Sequence, residues 1–265
     1  MARTLFTGLV LSAALISSAY SQDASRVSVA WNSTAPLSTP APQTSTPSSP
    51  QIQQSVEQRL KDVISPEMAA NFSLFVYVSK AETGPWAQRM YVFQKAGDDL
   101  LLLYDWPVST GRETVEADAA GVELATDTPA GYYEFDPKRF YERYRSIQWN
   151  EPMPYAMFFN WVDHGVPTGL AIHGTDDNGQ GLIGTRASAG CVRLSPENAK
   201  TLFMLVRDNY KGEAPKFGYD KYTKSLMNNG LLLHDGAGKL VSTLGYNVLV
   251  YIDEFGGNNL EAQAY

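Results

Sequence analysis

Short apolar stretches separated by polar turn residues dominate the chain after residue 72. The stretches at 72–80, 88–96, 99–111, 128–135, 154–161, 168–174 and 246–254 are rich in aromatic and branched residues. Turn-forming residues stand between several of them, for example Thr83-Gly84-Pro85. Strands bounded by turn signals show this pattern, and the first three stretches are expected to pair as an antiparallel series. Many short strands with few helices predict a mainly β fold, a sandwich or a barrel.

Two segments show the apolar spacing of an amphipathic helix instead. Residues 53–64 place Val56 and Leu60 on one face, and a proline follows the end of this segment. The second helix is predicted to begin after Ser195, a favoured N-cap residue, with Pro196 at its first position. Its apolar face is expected to comprise Ala199, Leu202, Phe203, Val206 and Tyr210. The mainly β fold should therefore carry one or two short helices.

The beginning of the chain is predicted to lie outside the folded domain. Residues 1–21 contain one early basic residue, an apolar run from Leu5 to Ile16 and small residues at cleavage spacing, which is typical of a secretory signal peptide. The run is shorter than the roughly 20 residues of a membrane span, so no span is expected after cleavage. Residues 22–52 are interpreted as a Pro/Ser/Thr-rich linker, and residues 53–265 as one domain.

Charge and cysteine content narrow the class of protein. The net charge is −7 and the pI is near 5.0, and no run of basic residues is present. Because nucleic-acid binding is driven by clustered Lys and Arg, no nucleic-acid partner is expected. Cys191 is the single cysteine, so an internal disulfide is excluded. A lone cysteine in an exported protein indicates either intermolecular pairing or a reactive thiol, and composition leaves both open.

The sequence around Cys191 favours a reactive thiol. A cysteine attacks as its thiolate, and positive charge nearby lowers the thiol pKa. Arg186 and Arg193 flank Cys191, and the predicted helix after Ser195 adds the positive end of its dipole. His173, one of three histidines, ends an apolar strand before a glycine-rich loop and is the candidate base. The alternative for His173 is a structural role.

Two aspartates, Asp176 and Asp177, follow the candidate base and raise the question of a metal site. No second histidine at ligand spacing accompanies them, so they are interpreted as solvated loop residues. No metal and no cofactor are therefore expected.

Three segments, in order, resemble the signature of the YkuD-type L,D-transpeptidases. The first segment is VSTG at 108–111 and the second is TPAGYY at 128–133. The third runs from IHGT at 172–175 through a loop to SAGCVRLS at 188–195. The family pattern is V-S-T-G, then T-P-x-G-x-[FY], then H-G, a glycine-bearing loop and [S/T]-x-G-C-[I/V]-[R/N]-[L/M]. The resemblance covers roughly residues 72–254, and it implies the mixed β-sandwich of that family.

The resemblance also implies roles for the residues of the motif. Cys191 would be the acyl-accepting nucleophile and His173 its base, with the Gly174 carbonyl orienting the imidazole. Gly190 and Cys191 would supply backbone N–H groups to an oxyanion hole. Ser188 would hydrogen-bond near the thiol, or only cap the backbone of its own turn. Ser188 and Gly190 are both expected among the substrate-binding residues.

Two further positions of the motif bear on substrate range. Arg193 would bind a substrate carboxylate, or brace its loop through an ordinary ion pair. Ala189 stands where many family members have a second histidine. His173 is nevertheless expected to suffice as the base.

The implied activity is that of a cysteine acyltransferase of the cell wall. It would act on peptidoglycan stem peptides through a thioester, form 3→3 cross-links or attach proteins to the wall, and take a stem peptide or an outer-membrane protein as acceptor. The implied location is the periplasm or the cell exterior, in association with the wall, and the implied process is cell-wall biogenesis and the maintenance of cell shape. The alternatives are an L,D-carboxypeptidase or hydrolase of the same fold, and a catalytically silent peptidoglycan-binding module.

Overall fold

The structure of the protein is a computed structural model that describes residues 47–176 and 178–254. Within these ranges the chain forms three α-helices, α1 (Pro50–Val63), α2 (Pro66–Asn71) and α3 (Pro196–Asn209), and a 3-10 turn, Gln180–Leu182. The strands up to the middle of the chain are β1 (Leu74–Ser79), β2 (Arg89–Ala96), β3 (Asp99–Pro107), β4 (Val115–Ala117), β5 (Glu123–Ala125), β6 (Gly131–Tyr133), β7 (Phe135–Tyr141) and β8 (Ala156–Phe159). The later strands are β9 (Val162–Asp163), β10 (Val166–Pro167), β11 (Ala171–Gly174), β12 (Val192–Leu194), β13 (Lys211–Pro215), β14 (Tyr219–Asp220), β15 (Ser225–Leu226), β16 (Ser242–Tyr246) and β17 (Val248–Asp253). The predicted signal peptide and residues 22–46 of the predicted linker lie outside the described residues.

The two helices predicted from the sequence are present. α3 begins after Ser195, whose side chain accepts a hydrogen bond from the Asn198 backbone N–H and so caps the helix. α1 begins at Pro50 rather than at residue 53, because Ser49 caps it in the same way. None of the described helices combines the length and the apolar character that crossing a membrane requires.

The short helix α2 was missed by the sequence analysis and raises the number of α-helices in the described ranges to three. Its N-cap is Ser65, and Pro66 occupies its first turn. The proline that follows α1 was interpreted only as the end of one helix, whereas it also begins the next one. Proline suits a first helical turn, where its missing N–H is not needed.

The folded contacts also begin earlier than the predicted boundary at residue 53. The Ser48 backbone N–H donates to Asp105 Oδ2 at 2.6 Å, and Ser48 Oγ lies 2.9 Å from the hydroxyl of Tyr91. Asp105 is buried and pairs with Arg89. The last residues of the predicted linker are therefore attached to β2 and β3.

A five-stranded sheet with the order β3-β2-β1-β17-β6 forms one layer. The first three strands pair antiparallel as predicted, while β17 returns to pair with β1 in parallel. Side chains alternate between its faces. Val76 and Val250 point into the main core, whereas Phe75 and Tyr77 pack against α1 and α2 on the other face.

A four-stranded sheet with the order β12-β11-β8-β7 forms the second layer. Met157, Ile172 and Val192 lie on its inner face in the same core as the inner face of the five-stranded sheet, and α3 contributes Leu202 and Phe203 to that core. Two sheets that enclose one core make a β-sandwich. The predicted mainly β sandwich is therefore confirmed.

Two connections lie over the outer face of the four-stranded sheet. One is the hairpin formed by β4 and β5, and the other is the β7–β8 loop, residues 142–155. The Ala119 backbone N–H donates to the Gln148 carbonyl at 2.8 Å and joins the two connections. The space between these two connections and the sheet is a cleft.

Candidate active site

Strand register places the candidate nucleophile and base on one face of the four-stranded sheet. β11 and β12 are parallel, and His173 lies opposite Arg193. Paired residues share a face of the sheet, so His173 and Arg193 lie on the same side. Cys191 immediately precedes β12 and lines the same cleft. All three side chains, with Ala189, line a cleft of about 460 Å³ that also contacts the β4–β5 hairpin and the β7–β8 loop.

His173 is buried, and one ring nitrogen has a fixed partner. Its Nδ1 lies 2.7 Å from the Gly174 carbonyl oxygen. A carbonyl only accepts hydrogen bonds, so Nδ1 carries the proton and Nε2 carries the lone pair of a base. Burial and, to a smaller extent, the charge of Arg193 lower the pKa of His173 to about 4, although the bond to Gly174 acts in the opposite direction. At neutral pH the imidazole is therefore uncharged and able to accept a proton.

Gly174 has to be small because its surroundings are crowded. A Cβ atom at this position would lie 3.1 Å from Pro154 Cγ and 3.2 Å from Ala199 Cβ. Its backbone N–H donates to the Pro154 carbonyl at 2.8 Å, which fixes the peptide next to the imidazole. The close packing therefore holds the carbonyl that orients His173.

The Cys191 side chain is half-buried. Its Sγ donates to the Gly169 carbonyl at 3.5 Å. Burial raises the pKa of Cys191 to about 11, although a backbone hydrogen bond from Ala171 and the charges of Arg193 and Arg139 act in the opposite direction. The lowered thiol pKa predicted from the nearby arginines is wrong, because desolvation of Cys191 outweighs the nearby positive charge.

The two arginines nearest Cys191 in the sequence differ in position. Arg186 donates to the Lys80 carbonyl at 2.8 Å and pairs with Glu113 at 2.7 Å, so its charge is held by other partners. Arg193 lies beside the thiol in the cleft. The helix α3, whose dipole was expected to help, packs into the main core, whereas Cys191 belongs to the cluster on the outer face of the sheet.

Arg139 is a residue near the thiol that the sequence analysis missed. It lies on β7, where its guanidinium stacks over the Phe158 ring at 4.0 Å and donates to the Thr168 carbonyl at 2.9 Å. No motif marks this position, since a single arginine in a strand next to a lysine is typical of solvated surface. Only the pairing of β7 with β8 brings it to the outer face near Cys191.

Ser188 and Gly190 form the turn that precedes Cys191. The Ser188 hydroxyl is fully buried, accepts from the Gly190 N–H at 3.1 Å and donates to the Cys191 carbonyl. Gly190 has φ of +114°, and a Cβ there would lie 3.0 Å from the Asp127 carbonyl oxygen, so glycine is required. In this conformation the Gly190 N–H is bonded within the turn, so it is not the free oxyanion donor expected from the resemblance. Of the two alternatives for Ser188, the structure shows the one in which its hydroxyl caps the backbone of the turn.

The three sequence segments of the motif meet at this turn. The Gly111 N–H donates to Thr128 Oγ1 at 2.8 Å, and Thr128 Oγ1 donates to the Gly190 carbonyl at 2.6 Å. Ser109 and Arg193 exchange two backbone hydrogen bonds of 2.9 and 2.8 Å. Residues that are distant in sequence therefore hold the cysteine turn together.

Arg193 forms an ion pair inside the cleft. Its Nη2 donates to Glu151 Oε2 at 2.6 Å, and its Nη1 contacts the Ala187 carbonyl at 3.4 Å. Glu151 comes from the β7–β8 loop and also lines the cleft. Two roles for Arg193 were open from the sequence, a site for a substrate carboxylate and a bracing ion pair. In this structure the guanidinium holds an internal carboxylate, that of Glu151.

The other histidines and the aspartates that follow His173 do not form a metal site with one another in the described residues. His164 is exposed and pairs with Asp163, and His234 pairs with Glu67 of α2. Asp176 Oδ1 accepts from the Gly179 N–H at 3.0 Å, and Asp177 lies outside the described residues. In residues 47–176 and 178–254, no three His, Cys, Asp or Glu side chains are grouped to hold a metal.

A comparison with protein families gives one match. The sequence model of the YkuD family, the L,D-transpeptidase catalytic domain, matches residues 76–236, which is more than half of the chain. The matched range includes the three motif segments together with His173 and Cys191. No curated protein matches the chain significantly.

Solved L,D-transpeptidase structures are similar to the chain at low identity. One from Stackebrandtia nassauensis is 20% identical, with 49% of each chain covered and a TM-score of 0.34. One from Mycobacterium smegmatis is 13% identical, with 69% of this chain and 59% of that chain covered and a TM-score of 0.35. One from Xylanimonas cellulosilytica is 14% identical, with 81% of this chain and 99% of that chain covered and a TM-score of 0.36. The chain thus spans less than two thirds of the length of the Stackebrandtia nassauensis and Mycobacterium smegmatis chains.

Proposed function

Because the chain belongs to the L,D-transpeptidase catalytic domain family, we propose that it is a peptidoglycan L,D-transpeptidase with Cys191 as nucleophile. The observation that carries this proposal is the pairing of β11 with β12. This pairing places the buried His173 imidazole and the Cys191 thiol, the only thiol of the chain, on one face of the sheet, where both line the same cleft. The Nε2 lone pair of the imidazole is free, because Nδ1 makes the hydrogen bond to Gly174. A thiol and a positioned neutral base are the minimum for acyl transfer through a thioester.

Acylation begins from a neutral thiol and a neutral imidazole. Cys191 Sγ turns from the Gly169 carbonyl and attacks the carbonyl carbon of the L,D-peptide bond after the third residue of a tetrapeptide stem. The thiol proton passes to His173 Nε2 as the C–S bond forms, because a thiol this basic is not ionised beforehand. The imidazolium then gives the proton to the amine of the leaving D-alanine, and the C–N bond breaks. The product is a thioester on Cys191.

Backbone and charge around the thiol support the oxyanion and the substrate. The Cys191 N–H is adjacent to the attacking sulfur and is the proposed first donor to the oxyanion. The Gly190 N–H becomes a second donor when it leaves Ser188 Oγ during the reaction. Arg193 is proposed to bind a carboxylate of the stem, since a guanidinium forms bidentate pairs with carboxylates.

The acceptor decides the product. The side-chain amine of a diamino acid in a second stem would give a 3→3 cross-link, and an amine of an outer-membrane protein would attach that protein to the wall. Water would give an L,D-carboxypeptidase. In each case His173 takes a proton from the acceptor as it attacks the thioester, the C–S bond breaks, and the imidazolium returns the proton to Cys191 Sγ. The predicted signal peptide supports the periplasm or the cell exterior as the location of this reaction.

The proposed function is tested by incubating the purified protein with a tetrapeptide stem that carries a diamino acid at its third position. We expect release of D-alanine and a cross-linked dimer by mass spectrometry, and neither product with Cys191→Ala. Tripeptide without dimer would assign the carboxypeptidase reaction instead. Binding to peptidoglycan without any release of D-alanine would contradict the proposal and favour a silent binding module.

A further inference from the structure

Glu151 is the counter-ion of Arg193 in the cleft. The two side chains are joined by a single hydrogen bond of 2.6 Å, from Nη2 to Oε2. The Arg193 side chain is only 13% exposed, whereas that of Glu151 is 55% exposed. The guanidinium is thus the more buried partner and keeps its contact with the Ala187 carbonyl, and the carboxylate is the partner that can leave.

The backbone around Glu151 is fixed independently of this ion pair. The Ser146 N–H donates to the Glu151 carbonyl at 2.9 Å, and the Met153 N–H donates to the Tyr144 carbonyl at 2.8 Å. These bonds close the β7–β8 loop on itself as a hairpin. The Glu151 side chain can therefore swing away from Arg193 without loss of the loop conformation.

We propose that Glu151 competes with the substrate for Arg193. In the free enzyme Glu151 occupies the guanidinium, and the substrate carboxylate one residue beyond the scissile bond displaces it. This inference rests on the proposed function, and it makes Glu151 a residue that sets specificity for stems with a free terminal carboxylate. A ligand carboxylate that uses both guanidinium nitrogens replaces a glutamate that uses one. A half-exposed ion pair contributes little by itself, so the exchange is feasible.

Glu151→Gln tests the competition because glutamine keeps the size and polarity of the side chain but removes its charge. We expect KM for D-alanine release from a free-acid tetrapeptide to fall about two- to fivefold, the range that an exposed ion pair supports, with kcat unchanged. The same stem with a terminal carboxamide should show no change in KM. The matched control is Glu142→Gln, which removes an exposed carboxylate that pairs with Arg207 at 3.0 Å, and it should change neither KM.

A binding measurement separates this inference from the proposed function. Titration of the free-acid stem into Cys191→Ala and into Cys191→Ala/Glu151→Gln reports Kd without turnover, and the double variant should bind about two- to fivefold more tightly. This gain would support the competition even if the wild-type protein released no D-alanine. Equal or weaker binding by the double variant, or an equal gain for the carboxamide stem, would overturn the inference even if the wild-type protein is active.

Discussion

Ser188→Ala should damage the cysteine turn by removing two buried hydrogen bonds at once. The hydroxyl joins the Gly190 N–H to the Cys191 carbonyl and is fully buried. A buried polar group that loses its partner costs about 1–3 kcal/mol, so two such groups set a range of about 2–6 kcal/mol. The neighbouring cleft lets water replace part of the loss, and we expect about 2–4 kcal/mol. For a domain of this size that loss lowers Tm by about 4–16 °C.

The assay is thermal unfolding followed by circular dichroism, together with kcat for D-alanine release. The control is Ser55→Ala on α1, whose exposed hydroxyl donates to the Gln51 carbonyl at 2.9 Å. An exposed substitution of this kind should change stability by no more than about 0.5 kcal/mol. We also expect kcat of Ser188→Ala to fall at least tenfold, because the turn that positions Cys191 loses its internal support.

Two results would count against this reasoning in different ways. A Tm equal to that of the wild type would mean that the hydroxyl does not hold the turn. A lowered Tm with unchanged kcat would mean that Ser188 stabilises the fold without positioning the thiol.

Three further predictions concern the thiol, the base and the boundary of the domain. A carbapenem, whose strained carbonyl is a reactive electrophile, should add once to the wild type and not to Cys191→Ala by intact mass, and an adduct on the variant would place the reactive group elsewhere. The kcat/KM for D-alanine release should stay level through neutral pH and fall only as pH drops towards about 4, where His173 gains a proton. A limb near pH 6.5 would indicate an exposed base. Removal of residues 1–46 should leave activity on soluble stems unchanged. Removal of residues 1–52 should lower Tm, because the contacts of Ser48 and the Ser49 cap are lost. Equal Tm values for the two truncated proteins would show that these contacts are dispensable.

Local signals in the sequence predicted the elements that local chemistry determines. The Ser195-Pro196 start and the apolar spacing after it were enough for α3, and aromatic and branched runs were enough for β1 to β3. The parallel pairing of β11 with β12 was not predicted, because it depends on packing between segments separated by a long loop. It is this pairing that sets His173 and Cys191 on one face.

The electrostatics of the site depend on burial, which residue spacing does not report. The arginines close to Cys191 in sequence suggested a low thiol pKa, yet Arg186 is held by Lys80 and Glu113, and desolvation dominates. Arg139 and Glu151 carry no motif, and they reach the cleft only through strand pairing and the β7–β8 loop. Such residues can be found only from a tertiary structure.

The side chains of the proposed base and the proposed nucleophile differ in how firmly they are held. The His173 imidazole lies 2.7 Å from the Gly174 carbonyl, whereas the Cys191 sulfur makes one long hydrogen bond, of 3.5 Å to the Gly169 carbonyl, from a backbone that Ser188 fixes. Rotation of the Cys191 side chain would thus move the sulfur and a bound acyl group while the imidazole stays in place. One stationary imidazole would then serve both half-reactions, because it would take a proton first from the thiol and later from the incoming amine. When the acceptor replaces the leaving group, the substrates would have to move and the base would not.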